Sequence, residues 1–358
     1  MFYLNEIKLT NFRCYESYTA QFIPHINIIV GNNAVGKTSL VEAIYCLGLT
    51  KSHKATNDNE MIQSNKEVAV IKGFFQKDKE KDEIMLSVSE KGKKINKNNK
   101  TEATLSKYLG YFSIIMFCPE DLGLVNGQPI LRRKFLDVNI GQINKRYLKS
   151  LINYRKILKQ RNEVLKLFNE KQGYDDRFLS IITNTLIEEA KVIIEERRKF
   201  IEELNKHLFG KCDYISSEKE EAKLVYNPNC NVENLFIESE NKRNLDKMTK
   251  TTNWGPHRDD FLILINGKEA SKYASQGQQK TVALSMKLGL ADLIKTQTKN
   301  IIVILDDVFG ELDVERQNKV LQLLTFDDQI FITTTMIDNL SEKVLKDSQI
   351  IQIENGGE

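Results

Sequence analysis

Several things are missing from this sequence, and each absence removes a class of protein. No apolar run approaches the roughly 20 residues needed to cross a bilayer. The start, Met1-Phe-Tyr-Leu-Asn-Glu6, lacks the charged opening and long apolar stretch of a secretion signal, so a cytoplasmic location with no membrane partner is expected. Cysteine is sparse: the five (Cys14, Cys46, Cys118, Cys212, Cys230) are scattered without paired spacing. They suit neither a disulfide framework nor a zinc site and read as reduced, mostly buried small hydrophobes. A strong charge of one sign is also missing, since 52 basic residues stand against 49 acidic ones for a net charge of +3. Composition therefore makes no case for nucleic acid, which must come from local clustering or from resemblance.

What is present is the balance of a globular protein, 41% apolar and 28% charged, over 358 residues. That length exceeds the usual single core and predicts two or more domains.

The stretch around which the chain is organised is Ile26-Asn-Ile-Ile-Val-Gly-Asn-Asn-Ala-Val-Gly-Lys-Thr-Ser39. An apolar run meets Gly31, and Gly31-x-x-x-x-Gly36-Lys37-Thr38 has P-loop spacing. Leu40, Val41, Ile44 and Leu47 then recur at helical spacing, so the loop lies between a strand and a helix. Glycines there let backbone N–H groups turn inward, and a helix N-terminus adds partial positive charge for a phosphate chain. Gly31, Asn32, Asn33, Ala34, Val35, Gly36, Lys37, Thr38 and Ser39 are thus predicted to cradle a nucleotide. Lys37 reaches the β- and γ-phosphates, and Thr38 takes Mg²⁺.

A second piece of chemistry is Ile301-Ile-Val-Ile-Leu-Asp-Asp307. Five apolar residues predict a central parallel strand with two carboxylates at its C-terminal end, where α/β sheets bind ligands. Asp306 is the expected Mg²⁺ ligand of a Walker B arrangement, and Asp307 is placed to orient or deprotonate the attacking water. A further strand, Gln329–Ile332, ends in Thr333-Thr-Thr335, whose hydroxyls have the option of sensing the γ-phosphate.

Elsewhere Leu4, Ile7 and Leu9 suggest a strand, followed by Lys8 and Arg13 as either phosphate contacts or edge-strand charges. Residues 51–65 read as an irregular surface segment. Val68–Ile71 with Phe74-Phe75, and Ile84–Val88, predict antiparallel strands around a charged turn from Gln76 to Glu83. Lys91–Lys100 carries five lysines and reads as a solvated loop or a phosphate-attracting one. Phe112–Cys118 predicts a buried strand.

Helical patterning begins at Arg132-Arg-Lys134. A heptad seam then runs through Tyr147, Leu151, Tyr154, Leu158, Arg161, Leu165 and Phe168. After a polar break from Asn169 to Arg177, a second seam takes Leu179, Ile182, Leu186, Ala190, Ile193, Arg197, Phe200 and Leu204. Helices of about 30 and 20-odd residues would form either an extended antiparallel arm roughly 30–45 Å long or two ordinary core helices. Residues 209–250 show no sustained period. Phe261–Ile265, the hairpin signal Asn266-Gly267 and a return strand Lys268–Ala274 lead to Ser275 and a buried helix from Thr281 to about Lys295.

The order and spacing of these motifs resembles the RecF family of bacterial DNA repair over essentially the whole chain. The resemblance rests on Asn11-Phe-Arg13, the P-loop, Pro119-Glu-Asp-Leu122 with Arg132-Arg133, and Gly255-Pro-His-Arg-Asp-Asp260. It also rests on Ser275-Gln-Gly-Gln-Gln-Lys280, Asp306-Asp307 and Glu311-Leu-Asp313. It implies an α/β, ABC-type P-loop ATPase head (SMC-like), from 1–125 and 209–358, with an inserted α-helical hairpin arm, 126–208. Such a head dimerises around two ATP molecules, with Ser275 of the signature motif, Gly277 and Gln278 meeting nucleotide held by the other subunit. Gly310 stands where the D-loop commonly has serine. Asp307 replaces the usual glutamate, which implies slow hydrolysis. None of the four histidines (His25, His53, His207, His257) occupies the switch position. The implied partners are duplex DNA near gaps and single-strand/double-strand junctions, RecR, RecO and, indirectly, RecA. The readings set aside are an ABC transporter subunit, which keeps P-loop and signature closer together, and an SMC-like tether, which needs a longer arm and a hinge.

Overall fold

The computed structural model describes residues 2–167, 176–216, 220–309, 312–324 and 328–354. Among them the strands in chain order are β1 (Phe2–Phe12), β2 (Tyr15–Gln21), β3 (Ile26–Val30), β4 (Val68–Lys77), β5 (Glu80–Ser89), β6 (Gly92–Lys97) and β7 (Lys100–Thr101). There follow β8 (Ser113–Phe117), β9 (Ala222–Asn227), β10 (Asp260–Ile265), β11 (Lys268–Glu269), β12 (Ile301–Asp306), β13 (Gln329–Thr334) and β14 (Ser348–Gln352). The chain forms two compact units, one from Met1–Asp121, Gly210–Lys219 and Lys280–Glu358, the other from Leu122–Phe209 and Glu220–Gln279. The expected arm falls within the second unit, which takes in Glu220–Gln279 as well.

The first unit holds an antiparallel sheet, β2-β1-β4-β5-β6-β7, and a parallel one, β14-β3-β13-β12-β8. Strands β8, β12 and β13 are buried along their whole length, as continuous apolar runs covered on both faces must be. The P-loop helix, Lys37–Leu49, packs against strands of both sheets. Its Leu40, Val41, Ile44 and Leu47 are fully buried, and most of its other side chains are too. Strand β1 changes register between Leu4 and Glu6. There the buried Gln329 amide accepts from Leu4 N at 2.8 Å and donates to the Leu4 carbonyl at 2.8 Å, tying the two sheets together.

Two expectations in this unit are corrected. Strands β4 and β5 run on through the charged stretch and turn only at Asp78, with φ 52°. Alternation keeps Phe75 inside while Lys72 and Glu83 pair at 3.3 Å on the outer face. The lysine-rich segment is no loop but strand β6. Ile95 is its buried anchor, Asn98 and Asn99 (φ 49° and 62°) make the turn, Lys93 pairs with Asp58 at 2.7 Å, and Lys97 pairs with Asp82 at 3.2 Å.

In the second unit helix Pro129–Ile143 ends at Asn144, which leaves helical geometry at φ −128°, ψ 100°. Helices Lys145–Leu167 and Asp176–Leu208 then pack together, with 23 and 33 residues, about 35 and 50 Å. The length order is the reverse of the expectation, because Asn144 divides the first helix. Phe168 and residues 169–175 of the polar break lie outside the described residues. The seam residues Tyr147, Leu151, Tyr154, Leu165, Leu179, Leu186, Ile193 and Leu204 are buried. Arg161 and Arg197, the basic interruptions, are buried as well and ion-paired, Arg161 with Asp246 at 2.8 Å and Arg197 with Asp259 at 2.9 Å. Both acids come from the segment after residue 220, which is how it joins the helices. Within that segment β9 pairs with β10 across a stretch that reads as patternless. The return strand is only β11, since Ala270–Tyr273 turns helical.

Candidate nucleotide site

The loop after β3 has Ala34 at φ 67° and Gly36 at φ 118°. A Cβ on Gly36 would lie 2.6 Å from the Tyr15 hydroxyl, which donates to the Gly36 carbonyl at 3.0 Å. One on Gly31 would lie 2.5 Å from the Ile353 carbonyl oxygen. Both positions therefore demand glycine. Lys37 is 4% exposed, and its ammonium donates to the carbonyls of Gly31 (2.9 Å) and Asn32 (2.8 Å). It sits inside the curve of the loop, with Asn32, Asn33 and Ala34 exposed above it. Val35 is buried and Ser39 half-buried in the first helical turn.

Thr38 and Asp306 meet although 268 residues separate them: the Thr38 hydroxyl donates to Asp306 Oδ1 at 3.2 Å. The same oxygen accepts from Thr333 Oγ1 at 2.8 Å, while Asp307 N donates to Thr333 Oγ1 at 2.9 Å. One buried hydroxyl thus holds both aspartates. Asp306 Oδ2 faces the Lys54 ammonium at 4.0 Å. Burial raises the Asp306 pKa, and the Thr333 and Thr38 hydroxyls and the Lys54 charge oppose that rise. Asp307 is half-buried and at φ 54°, a left-handed conformation that Asp tolerates better than most residues.

This donor set fits Mg²⁺ with a triphosphate. A buried carboxylate beside a hydroxyl offers two oxygen ligands, and Mg²⁺ takes few protein ligands while keeping waters and phosphates. Among the described residues no group of three or more His, Cys, Asp or Glu forms a denser metal cluster.

The fold agrees with that of known proteins. The family described as RecF/RecN/SMC N terminal domain matches residues 3–357. A DNA replication and repair protein RecF of Bacillus cereus (strain G9842) is 39% identical over 99% of this chain and 97% of its own length. The chain belongs to the RecF family. Its RecF relative in Bacillus thuringiensis (strain Al Hakam) is 38% identical over 99% and 97%. A structure of the recombination mediator protein RecF with ATP, in the RecFOR pathway, superimposes with a TM-score of 0.90 at 31% identity, over 99% of this chain and 96% of that one. The Smc head of Pyrococcus furiosus, at 16% identity and a TM-score of 0.56 over 99% and 95%, shares the fold. The architecture is therefore an α/β ABC-type ATPase head of the RecF and SMC kind. Among the described residues no helix is long and apolar enough to cross a membrane.

Other RecF motif residues fall into three places. Arg13 lies in the first unit, where Nε and Nη2 donate to Glu42 at 2.9 and 2.6 Å and Nη1 to the Glu60 carbonyl at 2.7 Å. Glu42 also takes the Ser52 hydroxyl, and Ser52 in turn accepts from Lys54 N at 2.9 Å. Lys8 pairs with Glu6 at 3.0 Å and lies over the Phe74 ring, a strand-surface charge. Ser275, Gly277 and Gln278 belong to the second unit. Ser275 Oγ accepts from Gln278 N at 3.3 Å and Ser275 N donates to Gln278 Oε1 at 2.9 Å, a reciprocal cap on helix Gln276–Gln297. Asp313 caps helix Val314–Leu323, while Gly310 and Glu311 lie outside the described residues.

Thr333 is not free to sense a phosphate, because its hydroxyl is engaged by Asp306 and Asp307. Thr334 bonds Met336, and Thr335 alone of the three is exposed. Sequence reasoning missed Lys54 and the linking role of Thr333. No local signal marks either, since each depends on what the sheet order brings alongside Asp306.

Proposed function

We propose that the chain is an ATP-driven, DNA-binding switch of bacterial replication and recombinational repair, working in the cytoplasm as an ATP-dependent homodimer. The observation that carries this is the joining of Thr38, Asp306, Thr333 and Asp307 beside the Lys37 loop, within a RecF-family fold. The named roles of RecF relatives in DNA replication and repair supply the context.

Lys37 exchanges its two carbonyl partners for oxygens of the β- and γ-phosphates, so the buried ammonium becomes the main counter-charge to the nucleotide. Thr38 and Asp306 would hold Mg²⁺, which would supply neutralisation of phosphate charge. Asp307 orients the attacking water and takes its proton as ADP and phosphate form. Aspartate reaches one methylene less far than glutamate, which makes hydrolysis slow and suits a timer. Ser275, Gly277 and Gln278 complete the site of a second copy, so that ATP joins two heads around duplex DNA at gaps and junctions, and hydrolysis parts them. RecR and RecO act with this clamp to help RecA. Arg13 acts on the nucleotide through Glu42 and Ser52, which position the loop carrying Lys54. Helices of 23 and 33 residues, in a unit that also takes in residues 220–279, suit a short arm better than a long tether.

Lys37→Ala tests this reading. The variant stays folded and loses most ATP affinity and, with it, ATP-dependent DNA binding, measured by nucleotide titration and by sedimentation with duplex DNA. A folded variant that keeps ATP affinity overturns the assignment.

A further inference from the structure

The motif Gly255-Pro-His-Arg-Asp-Asp260 is left without a role by the nucleotide chemistry. In the second unit its two acids turn inward. Asp259 is fully buried and accepts from Arg197 Nη1 (2.9 Å), Asn229 N (2.8 Å) and the Tyr226 hydroxyl. Asp260 accepts a two-pronged bond from Arg132, at 2.6 and 2.8 Å. The neighbouring Asp137 takes Arg197 at 2.8 Å and Arg155 at 2.7 Å. All three carboxylates are thereby committed to Arg132, Arg155 and Arg197.

Two more guanidinium groups meet at this turn, Arg258 from the turn itself and Arg133 from helix Pro129–Ile143, and among the described residues their hydrogen bonds go to neutral acceptors only. Arg133, half-buried, donates from Nη1 to the Asp259 carbonyl at 2.9 Å. Arg258, exposed, donates from Nε to the Thr252 carbonyl (3.2 Å) and from Nη2 to Asn253 Oδ1 (2.8 Å). These five guanidiniums stand against the three carboxylates, and the surplus sits at the edge that reaches solvent.

Burial and the nearby Arg197 depress the Arg133 pKa, against the opposing charges of Asp260, Asp259 and Asp137. His257 between them stays neutral, its pKa pushed down to about 4 by burial and further by Arg258 and Arg133. Its Nε2–H donates to the Thr252 carbonyl at 3.1 Å and Nδ1 accepts from Tyr154 at 2.7 Å, so it braces the turn and adds no charge. The nearby carboxylates are already bonded to Arg132, Arg155 and Arg197, so a half-buried guanidinium that bonds only a carbonyl gains from a further anion. Planar guanidiniums with N–H groups to spare match phosphate oxygens.

We propose that Arg133, on helix Pro129–Ile143, and Arg258, on the 252–259 turn, form a docking site for the phosphate backbone of duplex DNA. The proposal rests on the DNA-binding reading above and adds the surface that makes the contact.

The test is duplex affinity of the full chain with a non-hydrolysable ATP analogue across a salt series. For Arg133→Gln with Arg258→Gln, affinity falls about tenfold. The slope of log affinity against log salt shrinks by about 2, near 0.9 for each phosphate that is no longer neutralised. ATP affinity is unchanged. The doubly lysine-substituted chain keeps the slope. Arg258→Glu alone, at an exposed position, covers misfolding of the double variant and weakens binding further. Wild-type affinity and slope in the folded glutamine variant, or wild-type affinity in Arg258→Glu, overturns the proposal. Failure of the wild-type chain to bind duplex overturns the DNA-binding reading itself and is seen before any variant is made.

Discussion

Replacing Thr333 by valine removes one hydroxyl and almost no volume from a position with no exposure. That hydroxyl donates to Asp306 at 2.8 Å and accepts from Asp307 N at 2.9 Å. A hydrogen bond to a carboxylate contributes about 1.5–3 kcal/mol, and a buried N–H left without a partner costs about 1–3 kcal/mol. The folded chain should therefore lose about 2–4 kcal/mol, less than the sum because the Asp307 N–H is near water. The catalytic effect is separable. With Thr333 gone, Asp306 keeps only the longer Thr38 bond and Asp307 loses the restraint on its left-handed backbone. Misalignment of both carboxylates should lower kcat roughly 10–100-fold, about 1.4–2.7 kcal/mol of barrier. KM for ATP, set mainly by the Lys37 loop, should move less than about threefold. The Mg²⁺ concentration giving half-maximal nucleotide binding should rise. The assay pairs steady-state hydrolysis with a Mg²⁺ titration of nucleotide binding, for Thr333→Val and for Thr333→Ser, which retains the hydroxyl. Serine should restore kcat and the Mg²⁺ midpoint. A valine variant that melts earlier yet hydrolyses at the wild-type rate would refute the positioning role and leave a purely structural one.

Three other outcomes are expected. Asp307→Asn should bind ATP near the wild-type level, hydrolyse it at least roughly 10²-fold more slowly and stay longer on DNA; an unaffected rate would move the base to Glu311 or Asp313. Ser275→Arg should bind ATP but neither dimerise nor hydrolyse, and mixing it with Lys37→Ala should recover part of the activity, because one composite site then carries neither defect. Normal nucleotide-dependent dimerisation by Ser275→Arg alone would sink the trans arrangement. Asp246→Ala should destabilise the second unit by about 3–5 kcal/mol, since it strips the buried Arg161 of its counter-charge; denaturant melts that match wild type would show Arg161 to be compensated elsewhere.

Local chemistry was readable without the fold. The glycine spacing, the apolar run before Asp306-Asp307 and the Asn266-Gly267 turn each depend on backbone sterics or on burial within a few residues, and each lies where the sequence predicts it. The heptad seams were equally legible, because every buried position repeats along one helix face. Three things depended on contacts across the chain. The lysine-rich strand β6 is set by pairing with β5, which only the sheet supplies. Residues 209–250 show no sustained period along the chain, and the place of the segment after residue 220 beside the helices rests on long-range pairs such as Asp246 with Arg161, joined by Asp259 with Arg197. Thr333 read as one of three interchangeable threonines at a strand end. Parallel pairing of β13 beside β12, with Thr333 opposite Asp306, is what turns that hydroxyl onto both aspartates. Spacing along the chain determines which groups are present. Strand order and register, which depend on long-range burial, determine which of them meet.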